Sequence, residues 1–243
     1  MTTLSSLLSD RLRTDPGQPL VTFYDEATGE RVELSVTTWS NWVAKSSSLL
    51  VDALGLERGQ SLRIDLPPHW LGTVFLGAAW NAGLVLTDAS TDGGRPDAVV
   101  TGPDGVESWS TYGGQVLACA LKPLGVRFSD PLPRGVHDVG VEIWGQPDAF
   151  LPWDPPTQED LAVDLEGLRL TQGQMWEAAA ASPARGRLLS EVNPASPPGL
   201  TSLTGPLVHG GSVVLVVNAG PERLTAIAAT ERAQPARSYP LNP

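Results

Sequence analysis

The sequence predicts an α/β fold of layered sheets and helices, and three observations carry that reading. A Pro-led apolar segment, "PPHWLGTVFLGAAWNAG", stands between two runs of strand type, "GQSLRIDL" and "GLVLTD". Strand, helix, strand at that spacing makes a parallel βαβ unit, because parallel neighbours need a crossover of a dozen or more residues. Further strand-like runs, "DAVVT" and "SVVLVV", alternate with amphipathic segments. Finally, 25 glycines and 22 prolines in 243 residues supply the turns and irregular connections that such layering requires.

Taken in order, Leu4, Leu7, Leu8 and Leu12 recur at helical spacing, which predicts a short amphipathic helix over 2–14. "PLVTFY" and "RVELS" flank "DEATGE", whose Thr28-Gly29 signals a hairpin. The segment 35–55 places Val36, Trp39, Trp42, Val43, Leu49, Leu50 and Ala53 along one face, with Ser35 as N-cap and Gly55 as stop. Strand "GQSLRIDL" ends at Pro67-Pro68, which open a helix over 69–82; proline is tolerated in a first turn. Strands follow at "GLVLTD" and 97–101. "QVLACAL" and "VGVEIWG" read as two more, separated by a stretch too rich in proline for regular structure. Then come a helix over 172–182, a strand at "RLLSEV", a helix near 199–208, the strand "SVVLVV" and a helix over 221–232. The tail "QPARSYPLNP" is expected to be irregular. The Pro-rich acidic stretch 152–160 is read as a hinge between a first α/β lobe, 1–151, and a smaller one, 161–243, packed on it.

Composition excludes several partners. A net charge of −11 with no Lys/Arg run opposes nucleic acid, which needs a concentrated basic face, and opposes a polybasic membrane patch. The longest apolar run, 70–87, is split by Asn81 and Gly83 and reads as a buried helix and strand, not a membrane span. The N-terminus has no basic region before an apolar one, so no signal peptide is expected, and a cytoplasmic location follows. A lone Cys119 in "QVLACAL" has no basic neighbour to activate it and reads as a buried structural thiol.

The run 35–90 resembles the N-terminal domain of the AMP-binding, adenylate-forming enzymes (acyl-CoA synthetases, adenylation domains and luciferases). The resemblance lies in the order helix, "LG", glycine turn, strand, Pro-led helix, "AG", and a strand ending in Asp88. It resumes in "GLRLTQGQM" and "GPLVHGGSVVLV", and the overall pattern is similar to a small actinobacterial family distantly related to those enzymes. The resemblance implies a layered α/β/α ligase-like N-terminal domain, truncated relative to the full enzymes. Their metal-binding acid, adenine and ribose motifs and mobile C-terminal domain would lie beyond Pro243.

The resemblance also implies a Ser/Thr/Gly-rich loop, ending in Pro-Lys-Gly, between an "LA" strand and the following segment. Its N–H groups, hydroxyls and lysine would cradle ATP phosphates. Here Val163 runs directly into Asp164-Leu165-Glu166-Gly167, which puts carboxylates where donors are needed. Losing three charge-assisted hydrogen bonds at roughly 1.5 kcal/mol each amounts to about a thousandfold in affinity. The family's histidine segment corresponds to "NPASPPGL", with Ser196 or a neighbour in the histidine's place.

Other constellations point to structure. Asp88 and Asp92 in "DASTDGG" lack the ligand alternation of a calcium loop and read as a polar turn. His69, His137 and His209 have no partners at metal-ligand spacing, and His209 reads as a turn residue. Most of the eight tryptophans are expected in the core, while an exposed Trp109 or Trp153 would mark a partner surface. No residue is therefore assigned a catalytic, cofactor-binding or metal-binding role, and no cofactor is expected. The leading expectation is a non-catalytic binding or interaction module. The alternatives are residual chemistry or binding toward an acyl, aryl, CoA-type or nucleotide ligand, and a subunit that completes another protein.

Overall fold

The computed structural model describes residues 3–89 and 94–236. Its elements run α1 (Leu4–Thr14), β1 (Pro19–Asp25), β2 (Glu30–Ser35), α2 (Val36–Ser48), β3 (Ser61–Asp65) and α3 (Trp70–Ala82). Next come β4 (Val85–Thr87), β5 (Ala98–Thr101), α4 (Val106–Trp109), β6 (Gln115–Ala118), β7 (Val136–Asp138) and α5 (Val139–Glu142). The last are β8 (Leu161–Leu165), β9 (Leu168–Thr171), α6 (Gln172–Ala181), β10 (Arg187–Ser190), α7 (Leu200–His209), β11 (Ser212–Val217), α8 (Pro221–Glu231) and β12 (Gln234–Pro235).

Two sheets organise these elements. One has the order β12-β10-β11-β1-β2, parallel except where β2 turns back on β1. The other has the order β7-β6-β5-β3-β4-β8-β9, parallel except where β9 turns back on β8. Helix α3 touches β1 of the first sheet and β3 and β4 of the second. A helix apolar on every side has to be covered on every side, and twelve of its thirteen residues are buried. This explains the longest apolar run: it is the central helix between two sheets, and among the described residues no helix is long and apolar enough to cross a membrane.

Helix α2 lies alongside α3 with a constant offset. The Trp39 indole donates to Thr73 Oγ1 at 3.0 Å, and Asn81 Nδ2 donates to Ser47 Oγ at 3.2 Å. Between them, a Cβ added at Gly77 would sit 2.6 Å from a Val43 methyl and 2.7 Å from the Trp39 ring. Glycine is required there because the two helices approach backbone to side chain. Ser35 caps α2 by accepting from Thr38 N at 3.1 Å, as its position in the sequence suggested. The expected single helix, however, passes into a π-helical turn over Leu49–Ala53 before Gly55 stops it.

The same core cluster holds residues from both ends of the chain, from Leu4 to Leu215. Strands from both sides of the Pro-rich stretch 152–160 join each sheet, so the division into 1–151 and 161–243 is one the sheets do not follow. Outside the core, Glu231 closes α8 onto the first sheet by receiving hydrogen bonds from Tyr24, Arg31 and Arg187. Burial pushes its carboxyl up, but those bonds bring it down to about 2.

Two expectations are corrected. "VGVEIWG" is not a strand: Asp138 ends β7 and caps a helical turn by accepting from Gly140 N at 2.9 Å. Gly140 packs so tightly on Arg127 that a Cβ would sit 2.4 Å from its amide, which sets that turn against the neighbouring loop. The tail is not wholly irregular, since Gln234–Pro235 pairs with Leu188–Leu189 as an edge strand, where proline is tolerated. Residues 237–243 lie outside the described part.

The α2–α3 contact gives a paired test. Gly77→Ala should lower stability by about 1–3 kcal/mol through overpacking. Gly72→Ala, where a Cβ meets nothing within 4 Å, should raise it by about 0.4–1 kcal/mol. Urea unfolding of both variants checks the two signs.

Candidate functional site

In an open parallel sheet, ligands bind outside the carboxyl ends of the strands. In the larger sheet that edge carries Asp65, Thr87-Asp88, Thr101 and Leu165, and the sequence stretch of interest follows β8. Strand β8 does not open into a loop there. It reverses within two residues, Glu166 and Gly167, and β9 pairs back with Leu165 opposite Leu168, Asp164 opposite Arg169 and Val163 opposite Leu170. Gly167 takes φ 75°, a left-handed conformation that a side chain would resist.

The reversal is held from outside. Glu166 N donates to Asp88 Oδ2 at 2.7 Å, so the carboxylate at the end of β4 occupies the turn's amide. Asp88 and its neighbour are in turn fixed by Arg63, whose Nη1 donates to the carbonyls of Asp88 at 2.7 Å and Ala89 at 3.2 Å. Arg63 Nη2 reaches Asp65 Oδ1 at 3.0 Å, the Trp109 indole donates to Asp65 Oδ2 at 2.7 Å, and the guanidinium lies over the Trp109 ring. Arg63 is thus neutralised by its neighbour, and Arg169 of β9 pairs with Asp164 at 3.1 Å.

Helix α6 begins just after β9, and a helix N-terminus offers free N–H groups to anions. Here they are taken. Gln172 N donates to Asp160 O at 2.8 Å, Gly173 N to Gln158 O at 2.8 Å, and Gln174 N to Thr171 Oγ1 at 3.3 Å. Gln174 returns the bond by accepting from Thr171 N at 3.0 Å, which completes a capping box. The Pro-rich stretch thus closes the helix start, because its carbonyls accept the first two amides. The groove beside this turn, about 780 Å³, is lined by Glu159 and Glu177 over an apolar floor of Leu7, Trp176, Ala180 and Val208, with no Lys or Arg among its lining residues.

The segment resembling the histidine motif is also closed on itself. Asn193 Nδ2 donates to Leu66 O at 2.8 Å, and the Ser196 hydroxyl donates to Asn193 O at 2.7 Å. A second crevice, about 460 Å³, lies between β3 and β5 where the strand order reverses, lined by Asp65, Asp104, Pro67 and Leu121 among others.

The remaining candidates separate in space. His69 caps α3, its Nδ1 accepting from Leu71 N at 3.2 Å, and burial pushes its imidazole down to about 4. His137 pairs with Glu142 at 3.0 Å, and His209, the last residue of α7, faces Ser182 O at 3.2 Å. Among the described residues no group of three or more His, Cys, Asp or Glu is placed to hold a metal ion. Asp92 lies outside the described residues, which include Asp88 and Ala89 of that stretch. Burial pushes the Cys119 thiol up, away from nucleophilic use. Trp109 is buried against Asp65, whereas Trp153 is 95% exposed. Sequence reasoning missed the part played by Asp88, because its contact with Glu166 spans 78 positions. The only local sign was an acid at a strand's end.

No family model matches the chain. A protein of Mycobacterium tuberculosis (strain ATCC 25618 / H37Rv), described as a TIGR03089 family protein, is 34% identical over 241 residues, covering 95% of this chain and 96% of its own. Among solved structures, the acyl-CoA synthetase of Brucella canis superposes with a TM-score of 0.78 at 16% identity, over 96% of this chain and 46% of that one. The coronafacic acid ligase of Pectobacterium brasiliense gives 0.74 at 14% identity and 49% of its length. The N-terminal domain of FACL13 from Mycobacterium tuberculosis gives 0.70 at 14% identity and 62% of its length. The fold is that of the N-terminal domain of acyl-CoA synthetases, and the chain spans about half the length of the full synthetases it superposes on.

Two tests follow from this geometry. Asp88→Ala should release the Glu166 amide, accelerating its hydrogen exchange and lowering stability by about 1 kcal/mol. The neutral, buried His69 contributes stability that is complete above its unfolded pKa of 6.5 and is lost as pH falls toward about 4. That loss is roughly 3 kcal/mol. His69→Asn keeps a capping side chain, so its unfolding free energy should fall less steeply with pH in that window.

Proposed function

The chain belongs to the TIGR03089 family, and on that premise we propose that it is a non-catalytic relative of the adenylate-forming enzymes, serving as a binding or interaction module. The single observation behind the proposal is the β8–β9 reversal, where the donors a triphosphate would need are already engaged. Asp88 takes the amide of Glu166, and Asp160, Gln158 and Thr171 take the first three amides of α6. Phosphoryl chemistry depends on donors and cations preorganised around the developing charge. A triphosphate placed here would meet the Asp88 carboxylate and an Asp164 already paired with Arg169 at 3.1 Å, and would have to break the chain's own bonds first.

A second reading, a retained site for an acyl or aryl ligand, is favoured by one feature: the apolar floor of the groove beside α6, formed by Leu7, Trp176, Ala180 and Val208. The two readings separate experimentally. Calorimetry with magnesium-ATP is expected to give no saturable heat below roughly millimolar concentration, the level to which the lost donors reduce a strong binder. Micromolar binding, or pyrophosphate released only when a carboxylic acid is present, would sink the proposal. Acyl-CoAs of graded length are expected to leave the melting temperature unchanged. A true ligand at a hundred times its Kd would add about 2.7 kcal/mol and raise that temperature.

A further inference from the structure

Along helix α6 runs the groove of about 780 Å³ already met beside the β8–β9 turn, a size that small-molecule sites occupy. Its floor is apolar. Leu7 of α1 and Val208 of α7 are half-buried there, packed on the core with part of each side chain in solvent, and Ala180 of α6 is exposed. Beneath them Trp176 is 1% exposed, its indole held by Gln172 Oε1 at 3.1 Å.

The charged groups of the lining are all of one sign. Glu177, on the same helix as Ala180, has neither a hydrogen bond nor an ion pair among the described residues. Glu159 receives neutral donors alone, chiefly Gln158 Nε2 at 3.0 Å, and they hold its carboxyl below the usual range, so it stays an anion. No Lys or Arg lines the groove. The basic groups of the neighbouring elements are committed elsewhere. Arg11, one turn on from Leu7, donates to Pro206 O and Gly211 O at 3.0 Å, and Arg13 pairs with Asp10. Arg58 holds Asp154 and Asp160, and His209, next to Val208, faces Ser182 O at 3.2 Å. Arg185 follows the C-cap of α6, Ser182, and is not part of the lining. With the first amides of α6 also engaged, nothing in the groove would neutralise a carboxylate or a phosphate. A second copy of this chain would bring another −11 charges against the same carboxylates.

We propose that this groove binds a small amphipathic amine, an ammonium group carried on an alkyl or aryl body. The body lies over Leu7, Ala180 and Val208, and the ammonium group lies beside Glu177 and Glu159. This rests on the reading of the chain as a binding module and names the class of its ligand, where the floor alone would accept an acyl or aryl acid as well.

The probes are octylamine, octanoate and ethylamine, titrated into the whole protein below the micelle concentration and followed by amide-resolved NMR at Glu177 and Ala180. Octylamine should shift both resonances saturably. It should bind about tenfold or more tighter than octanoate, which has a like tail and the opposite charge, or ethylamine, which has the charge without the tail. Glu177→Gln should weaken octylamine about two- to fivefold, the range of an exposed ion pair, and flatten its salt dependence. Glu107→Gln makes the same change of charge on α4, outside the groove, and should leave binding unchanged. Ala180→Phe, at an exposed position, should fill the groove and abolish binding. No saturable shift with octylamine would overturn the proposal. Equal weakening by Glu107→Gln and Glu177→Gln would also overturn it, by reducing the effect to net charge. Octanoate binding as tightly as octylamine would overturn it in favour of the acyl reading. Nucleotide binding would defeat the non-catalytic reading and leave this groove standing, whereas failure of octylamine leaves the β8–β9 argument intact.

Discussion

Three backbone amides open helix α6, and a buried or half-buried N–H has to find an acceptor. In this chain the acceptors are Asp160 O, Gln158 O and Thr171 Oγ1, all supplied within the preceding fourteen residues. The stretch 152–160 is therefore bound to the helix it precedes, and Arg58 ties the same stretch down through Asp154 and Asp160. Once those amides are engaged, β8 and β9 need only two residues between them, and Asp88 completes the closure by taking the amide of Glu166. The geometry at this edge serves cohesion, and it does so with the groups that would otherwise meet an anion.

The scaffold tolerates this because its stability lies elsewhere. Helix α3, covered by α2 and by both sheets, holds Trp70, Phe75 and Trp80 in the interior beside Trp39 of α2. Trp80 packs edge-on against Trp176 at 5.4 Å, and Gln172 bridges them, donating to Trp80 O and accepting from the Trp176 indole. The start of α6 is anchored to the central helix by that bridge. A fold held by its core keeps its architecture when a surface loop changes, which is why likeness of fold carries no activity with it.

What the sequence made legible was local. Ser35, Gly55 and the Thr171 cap all act within a few residues, and each lies where its chemistry indicated, while Pro67-Pro68 end the strand but stand outside the first turn of α3, which His69 caps. The shortness of the connection between Val163 and Gly167 was also readable, and two residues do join β8 to β9. The π-helical turn at Leu49 was not, since its cause is packing and not propensity. Nor was the helical turn at Val139, where apolar alternation imitates a strand and the deciding contacts, Asp138 to Gly140 and Gly140 to Arg127, depend on tertiary approach. Asp88 to Glu166, Asp65 to Trp109, and Trp144 to Trp42 all join distant positions, and one sequence holds no signal for such pairs.

If the edge beside β8 is closed by the chain's own groups, its amides have nothing to offer a nucleotide. An amide-resolved NMR titration of the whole protein with magnesium-ATP reads this most directly, following Glu166, Gly173 and Gln174. These three resonances should stay where they are while nucleotide is raised to millimolar levels. A saturable shift of any of them, above all with the loss of the Asp88–Glu166 bond, would contradict the closure.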